Sequence, residues 1–312
     1  MALQFVLGKS GAGKSHLLYE KIIEESMKYP EKNYFIIVPE QFTMQTQRDL
    51  VELHPNHGII NIDILSFMRL AYRVFEEQGG MKRTILEDTG KSMLVRRVIT
   101  EKKEELQIFK NYAHKPGYVS EIKSLLSEFY QYDIKDDGIQ QMLELTKKEP
   151  MLQRKLEDMQ VIYHGFEEQL ADKYITTEEI LDALIQQLDQ TELLKNATLA
   201  FDGFTGFTPV QYRLLEKLMS MCENVWVTVT IDPKESPALQ KEEVSLFHLS
   251  RQTIDKLVEI AENQRIPINK EITLDEQVPY RFRNSTQLAC LEHNLFRFSL
   301  TPYEQYIQAG HK

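Results

Sequence analysis

The sequence predicts an α/β protein in which a parallel sheet is interrupted by an all-helical insertion. Three observations carry this. Short apolar runs alternate with amphipathic segments up to about residue 80, and the same alternation returns near residue 196. Between them, long 3.6-period segments follow one another without convincing strands. The expected division is therefore 1–80, 81–195 and 196–312, with the outer parts forming one domain around a helical insertion.

Leu3-Gln4-Phe5-Val6-Leu7 is an apolar run followed at once by glycines, as a buried parallel strand is. From Lys14 to about Met27 the pattern turns helical, with Leu17, Leu18, Ile22 and Ile23 recurring on one face. Tyr34 to Val38 reads as a second strand stopped by Pro39, with a polar helix following to about Leu53. Ile59 to Leu65 reads as a third strand. Ser66 to Gln78 is amphipathic, and Gly79-Gly80 ends it. Helices are expected at Ser92–Glu105, Tyr118–Tyr132, Leu152–Asp172 and Thr177–Leu188. Strands resume at Ala197–Phe201 and Val225–Ile231, separated by a helix from Pro209 to Met221. In the tail, Val244–Gln264 reads as helix, Glu271–Arg283 as loop and Ser285–Phe298 as another helix. No second β-α-β series follows, so the chain reads either as a small complete protein or as the N-terminal portion of a longer one.

A length of 312 residues favours two structural units, and 42% hydrophobic with 27% charged residues fits an ordinary globular chain rather than a disordered one. No stretch approaches the roughly 20 apolar residues of a membrane-spanning helix, and the N-terminus lacks the regions of a signal peptide. A cytoplasmic protein with no membrane partner is expected. The two cysteines, Cys222 and Cys290, have no second thiol or histidine at a metal-site spacing and read as buried structural thiols. A net charge of −10 argues against a surface that coats nucleic acid by phosphate neutralisation, so any such binding is local.

Gly8-Lys9-Ser10-Gly11-Ala12-Gly13-Lys14-Ser15 matches G-x-x-x-x-G-K-[ST] completely, between a strand and a helix. Such glycines let the backbone wrap phosphate oxygens, and the following helix offers its free N–H groups and dipole to the same anion. Gly8, Gly11, Gly13, Lys14 and Ser15 are therefore the candidate ATP-binding residues of a P-loop (RecA-like) sheet. Lys14 is expected to reach the β- and γ-phosphates, and Ser15 to give its hydroxyl oxygen to Mg²⁺. Asp202, after the apolar run ending at Phe201, is the second candidate for the metal, although a strand-end turn aspartate followed by glycine reads the same way. A hydrolytic motor commonly places glutamate after this aspartate; here Gly203 follows, so efficient hydrolysis is not expected.

Four segments carry a resemblance: the P-loop, Val38–Thr43, Leu65–Arg73, and Asp202-Gly203-Phe204 through Gln211. In this order and spacing, over nearly the whole chain, they resemble the N-terminal part of the AddB family, components of bacterial helicase–nucleases that process double-strand breaks. The resemblance implies a region related to superfamily-one helicases, in which the second and third segments line a groove for single-stranded DNA. Gln41, Thr43, Phe67, Arg69 and Tyr72 take that role, with Phe204 and Phe207 joining the same surface. It further implies a degenerate motor that scans the unwound strand for Chi while a partner, AddA, supplies translocation. Stacking on aromatic rings and arginine contacts make this chemically reasonable. On periodicity alone, Phe67 and Tyr72 equally read as the buried face of a helix, and Gln41 and Thr43 as caps. Of the Gly-Asp-x-x-Gln segment that couples nucleotide to DNA in active motors, Ile231-Asp232-Pro233-Lys234-Glu235 keeps only the aspartate. The resemblance further implies a nuclease with an iron–sulfur cluster in a C-terminal region, and a second motor domain whose arginines complete the ATP site; on that reading the chain is expected to be a fragment, with both lying outside it. Two other readings stay open: a self-contained P-loop ATPase or kinase with a helical lid, and a vestigial P-loop on a surface that docks AddA.

Overall fold

The computed structural model describes residues 1–81, 83–112, 115–170, 173–276, 278–295 and 300–310. The chain opens with β1 (Ala2–Gly8), α1 (Lys14–Lys28), β2 (Tyr34–Ile37), α2 (Thr43–Leu53), β3 (Ile62–Leu65) and α3 (Phe67–Glu77). The insertion follows with β4 (Thr84–Leu86), α4 (Asp88–Glu101), α5 (Pro116–Gln131), α6 (Asp136–Leu145), α7 (Pro150–Leu170), β5 (Tyr174–Thr176) and α8 (Ile180–Gln187). The last part holds β6 (Thr198–Phe201), α9 (Pro209–Met219), β7 (Asn224–Thr230), α10 (Pro237–Gln240), α11 (His248–Asn263), β8 (Ile272–Leu274), α12 (Thr286–Asn294) and α13 (Tyr303–Gly310). Two compact units result: one of residues 1–70, 190–207 and 215–312, the other of residues 71–189 and 208–214.

The first unit is an α/β fold around a six-stranded sheet in the order β3-β2-β6-β7-β1-β8, with every pairing parallel. Both faces of such a sheet are covered, so its strands carry continuous apolar runs. Tyr34, Phe35, Ile36 and Ile37 of β2 are all fully buried, as are Leu199, Ala200 and Phe201 of β6. The chain leaves this unit after β3 and returns to lay β6 between β2 and β7, so the insertion is accommodated without breaking the sheet. Helix α1 buries Leu18, Tyr19, Ile22 and Ile23 against Tyr34, Ile36, Val38 and Ala200, each aliphatic side chain contributing roughly 1.5–3 kcal/mol.

The second unit is helical around its own core, in which Val95, Val98 and Ile99 of α4, Ile122, Leu126 and Phe129 of α5, and Met159, Ile162 and Phe166 of α7 pack together. It is not wholly helical. Strands β4 and β5 pair in parallel, Thr84 opposite Tyr174 and Leu86 opposite Thr176; three residues each are too few to establish a period of two in the sequence.

Other boundaries also move. The third strand starts at Ile62 rather than Ile59, because its pairing with β2 begins opposite Tyr34. The segment expected to be loop from Glu271 contains β8, an edge strand beside Val6, Leu7 and Gly8 of β1. The helix expected from Val244 begins at His248. The ends of two expected helices, 171–172 and 296–298, lie outside the described residues. Both cysteines are buried and free, and among the described residues no helix is long and apolar enough to cross a membrane.

Candidate functional site

Parallel strands end on the same side of a sheet, so the loops after β1, β6 and β7 converge there. Gly8 lies opposite Thr230, the last residue of β7, and Asp202 follows β6 with its amide donating to Ile37 O at 3.0 Å. The turn after Gly8 passes through positive φ at Gly11 (73°) and Gly13 (97°) before α1 begins. Side chains there would also crowd the neighbouring chain, since a Cβ at Gly11 would sit 3.0 Å from Arg281 Cβ and one at Gly13 3.1 Å from Tyr280 Cβ. Helix α1 starts with neither a side-chain cap nor an acidic residue in its first turn. Its first amides have no intrahelical acceptor, an arrangement that can receive an anion.

The Lys14 ammonium lies under the turn and donates to Gly8 O (3.0 Å) and Lys9 O (2.9 Å). Burial lowers it from 10.5 to about 8; Asp202 opposes that fall and Arg281 adds to it. Beside it, the buried Asp202 carboxylate accepts three hydroxyls: Ser15 on Oδ1 at 3.1 Å, Thr228 on Oδ1 at 2.5 Å and Tyr19 on Oδ2 at 2.8 Å. Ser15 and Tyr19 are one helical turn apart, which puts both on the face of α1 that meets the end of β6. Ser15 donates its proton to Asp202, and its lone pairs are of the kind that can accept from a donor or a cation.

These groups line a cavity of about 540 Å³ that also takes in His16, Tyr280 and Arg281. The Tyr280 ring stacks on His16, centroids 4.8 Å apart, and the Arg281 amide donates to Gly11 O at 2.9 Å. Sequence reasoning missed Tyr19, Thr228, Tyr280 and Arg281. The first two sit on elements whose periodicity marks them as core, and the last two in a segment read as loop. One signal was present: Pro279-Tyr280-Arg281-Phe282-Arg283 concentrates aromatic and basic residues in an acidic chain. An arginine at this cavity therefore comes from the chain itself, where the resemblance placed such groups in a domain outside it. Asp232, the residue retained from the coupling segment, pairs with Lys9 of the glycine turn at 3.4 Å.

The residue after Asp202 is Gly203, at φ +78°. That left-handed backbone favours glycine over any side chain, so the lack of glutamate there follows from the conformation of the turn.

The candidate DNA residues separate by burial. Gln41 and Arg69 are exposed, and Arg69 Nε lies 3.3 Å from Glu40, the residue next to Gln41. Tyr72 is exposed as well. Thr43 is buried, its hydroxyl donating to Glu40 O at 3.0 Å. Phe67 is buried too, with ring centroids 5.3 Å from Phe204, 6.3 Å from Phe207 and 6.0 Å from Phe201. Phe204 and Phe207 remain half-buried above it, 5.1 Å apart.

Comparison with known proteins gives these features a family. Residues 5–292 match the family described as ADDB, N-terminal. The B-type component of an ATP-dependent helicase/deoxyribonuclease from Lachnoclostridium phytofermentans is 48% identical over 311 residues, 99% of this chain and 27% of that protein. Proteins of the same name from Clostridium acetobutylicum and Alkaliphilus metalliredigens are each 34% identical over 98% of this chain and 26% of their own length. The chain thus spans about a quarter of the length of the curated relatives it matches. It belongs to the AddB family, and it corresponds to that family's N-terminal region.

Proposed function

We propose that this region is a RecA-like nucleotide clamp that holds ATP and magnesium and reads single-stranded DNA for Chi, with little or no hydrolysis of its own. The observation that carries the reading is the meeting of Lys14, Ser15 and Asp202 at the glycine turn, inside one cavity. The donors suit a magnesium ion, which takes most of its ligands from phosphate and water and few from protein: one hydroxyl oxygen from Ser15 directly, and the Asp202 carboxylate at its water shell. Arg281 and the amides of α1 favour the phosphates. The left-handed backbone at Gly203 puts no acid directly after Asp202, the place from which a hydrolytic motor activates its water.

For DNA, the exposed pair Gln41 and Arg69 supports a contact surface, with Phe204 and Phe207 offering rings beside it and Phe67 and Thr43 supporting them from within. Tyr72 is kept as an exposed candidate on α3. Translocation then falls to the partner, AddA, and the nuclease and its iron–sulfur cluster to the part of the longer relatives beyond this region. A role in repairing breaks in bacterial DNA implies a cytoplasmic protein.

Titration calorimetry with magnesium and ATP tests the first half. Lys14→Ala is expected to weaken binding roughly 10- to 100-fold, the worth of a charge-assisted bond. Phosphate release well above that of this variant would move the reading to a hydrolytic enzyme. For the second half, Gln41→Ala and Arg69→Ala are each expected to weaken single-stranded DNA binding by about fivefold with unchanged melting; unchanged affinity in both would remove the groove.

A further inference from the structure

Helices α1 and α2 share a buried side-chain bond that continues into the candidate metal site. Tyr19 OH lies 2.8 Å from Asp202 Oδ2 and 3.2 Å from Thr46 Oγ1 of α2, and all three residues are buried. A phenol has one proton, and an ionised carboxylate can only accept. Tyr19 therefore donates to Asp202, and Thr46 must donate to Tyr19. The chain of bonds has one direction, from Thr46 through Tyr19 to Asp202.

Asp202 is nearly saturated. Oδ1 already takes Ser15 and Thr228, and Oδ2 takes Tyr19, so of about four acceptor positions only one is open, on Oδ2. Any further donor arriving at the carboxylate, such as a metal-bound water, shares Oδ2 with Tyr19. That donor draws on the same oxygen's charge, which weakens the Tyr19 bond to Oδ2 and favours a turn of the phenol proton toward Thr46. Thr46 belongs to the inward face of α2, together with Thr43 and Leu50. The same helix follows directly on the Glu40–Phe42 turn that exposes Gln41.

We propose that Tyr19 is a positioning residue that transmits the state of the Asp202 carboxylate to helix α2, and so to the turn bearing Gln41. This rests on the nucleotide reading above. It gives a binding module without hydrolytic turnover a way to let bound nucleotide alter its strand-contacting edge. Nothing moves along the path except the choice of acceptor made by two hydroxyls.

Amide hydrogen exchange of residues 43–53, with and without saturating magnesium and a non-hydrolysable ATP analogue, tests it on the intact chain. In the wild type, exchange in α2 is expected to change about three- to tenfold, the worth of one hydrogen bond. Thr46→Val is expected to keep nucleotide affinity and global melting while losing that response. Tyr19→Phe is expected to lose it as well, with weaker magnesium dependence of binding. An α2 response that persists in both variants, or a wild type that binds the analogue with no change in α2, overturns the proposal. If calorimetry finds that the wild type binds no magnesium–nucleotide at all, the nucleotide reading has failed and the inference goes with it.

Discussion

In each unit an aspartate is buried on three hydrogen-bond donors, Asp158 in one and Asp202 in the other, and the donors differ in kind. Asp158, in α7 of the helical unit, accepts the backbone amides of Gln107 (2.7 Å), Ile108 (2.7 Å) and Phe109 (2.8 Å). Asp202, in the sheet unit, accepts the hydroxyls of Ser15, Tyr19 and Thr228. Both carboxylates are satisfied and both are buried. Amide N–H groups are fixed by the backbone and can only donate, so the Asp158 cluster holds a loop in one conformation. Hydroxyls rotate and carry lone pairs as well as a proton. The Asp202 hydroxyls can therefore turn without moving the backbone, a freedom that a metal site needs and the Asp158 clamp, of equal burial, does not have.

Exchanging each aspartate for asparagine tests that distinction most strongly. In Asp158→Asn the new amide group must point at a donor that cannot reverse, either Gln107 N or the pair Ile108 N and Phe109 N. A loss of roughly 2–3 kcal/mol in urea unfolding is expected, from lost charge-assisted bonds and an unsatisfied buried group. In Asp202→Asn the carbonyl oxygen keeps Ser15 and Thr228, and the new amide donates to Tyr19, whose proton turns to Thr46. Stability is expected to stay within about 1 kcal/mol, while magnesium-dependent nucleotide binding is lost. Equal losses of stability at the two sites would mean that the Asp202 hydroxyls are as fixed as amides.

A smaller effect comes from Lys14. Its folded value of about 8 lies below the ordinary lysine value of 10.5, so between these values the unfolded chain binds the extra proton. Stability must then rise with pH across that window, the cost of burying the charge being fully present below about pH 8 and relieved by about 10.5. The whole difference corresponds to roughly 3 kcal/mol, against which stand two hydrogen bonds to the turn. Lys14→Met is expected to raise stability at pH 7 by about 1–2 kcal/mol and to flatten the alkaline rise, as measured by urea unfolding at a series of pH values. An anion at the turn restores the lysine proton, so nucleotide binding near pH 8.5 takes up protons, visible as a heat that depends on the buffer.

The sequence made the glycine turn, the sheet strands and the helical insertion legible because each writes a local pattern: fixed spacing, apolar runs, a 3.6-residue period. Boundaries failed where pairing rather than pattern sets them, as at Ile62 and in β8. Tyr19 was hidden for a related reason. Its ring packs in the core with Ile22 and Ile23, as periodicity requires, while its hydroxyl serves Asp202, 183 positions away in sequence. Phe67 is the converse case, marked for a DNA surface by resemblance and for the interior by its period; its side chain is buried under Phe204 and Phe207. Tyr280 and Arg281 reach the glycine turn only because β8 docks beside β1, a contact with no local signature.

The smallest expected effect concerns the residue beside each aspartate. Asp158 sits within the regular turns of α7, where a neighbouring side chain costs nothing in backbone conformation. Asp202 is followed by Gly203 at φ +78°, where an added Cβ would meet Pro39 at 3.6 Å and Phe42 at 3.7 Å, ordinary contact distances. Space is not the obstacle there; conformation is. Gly203→Glu is expected to cost about 1 kcal/mol through left-handed strain and to leave phosphate release at the level of Lys14→Ala, because the new carboxylate would leave the backbone in a direction set by that strain. Phosphate release that rises well above the Lys14→Ala control would mean that the site lacks only an acid, and that Gly203 rather than the wider arrangement around Asp202 keeps it from turning over.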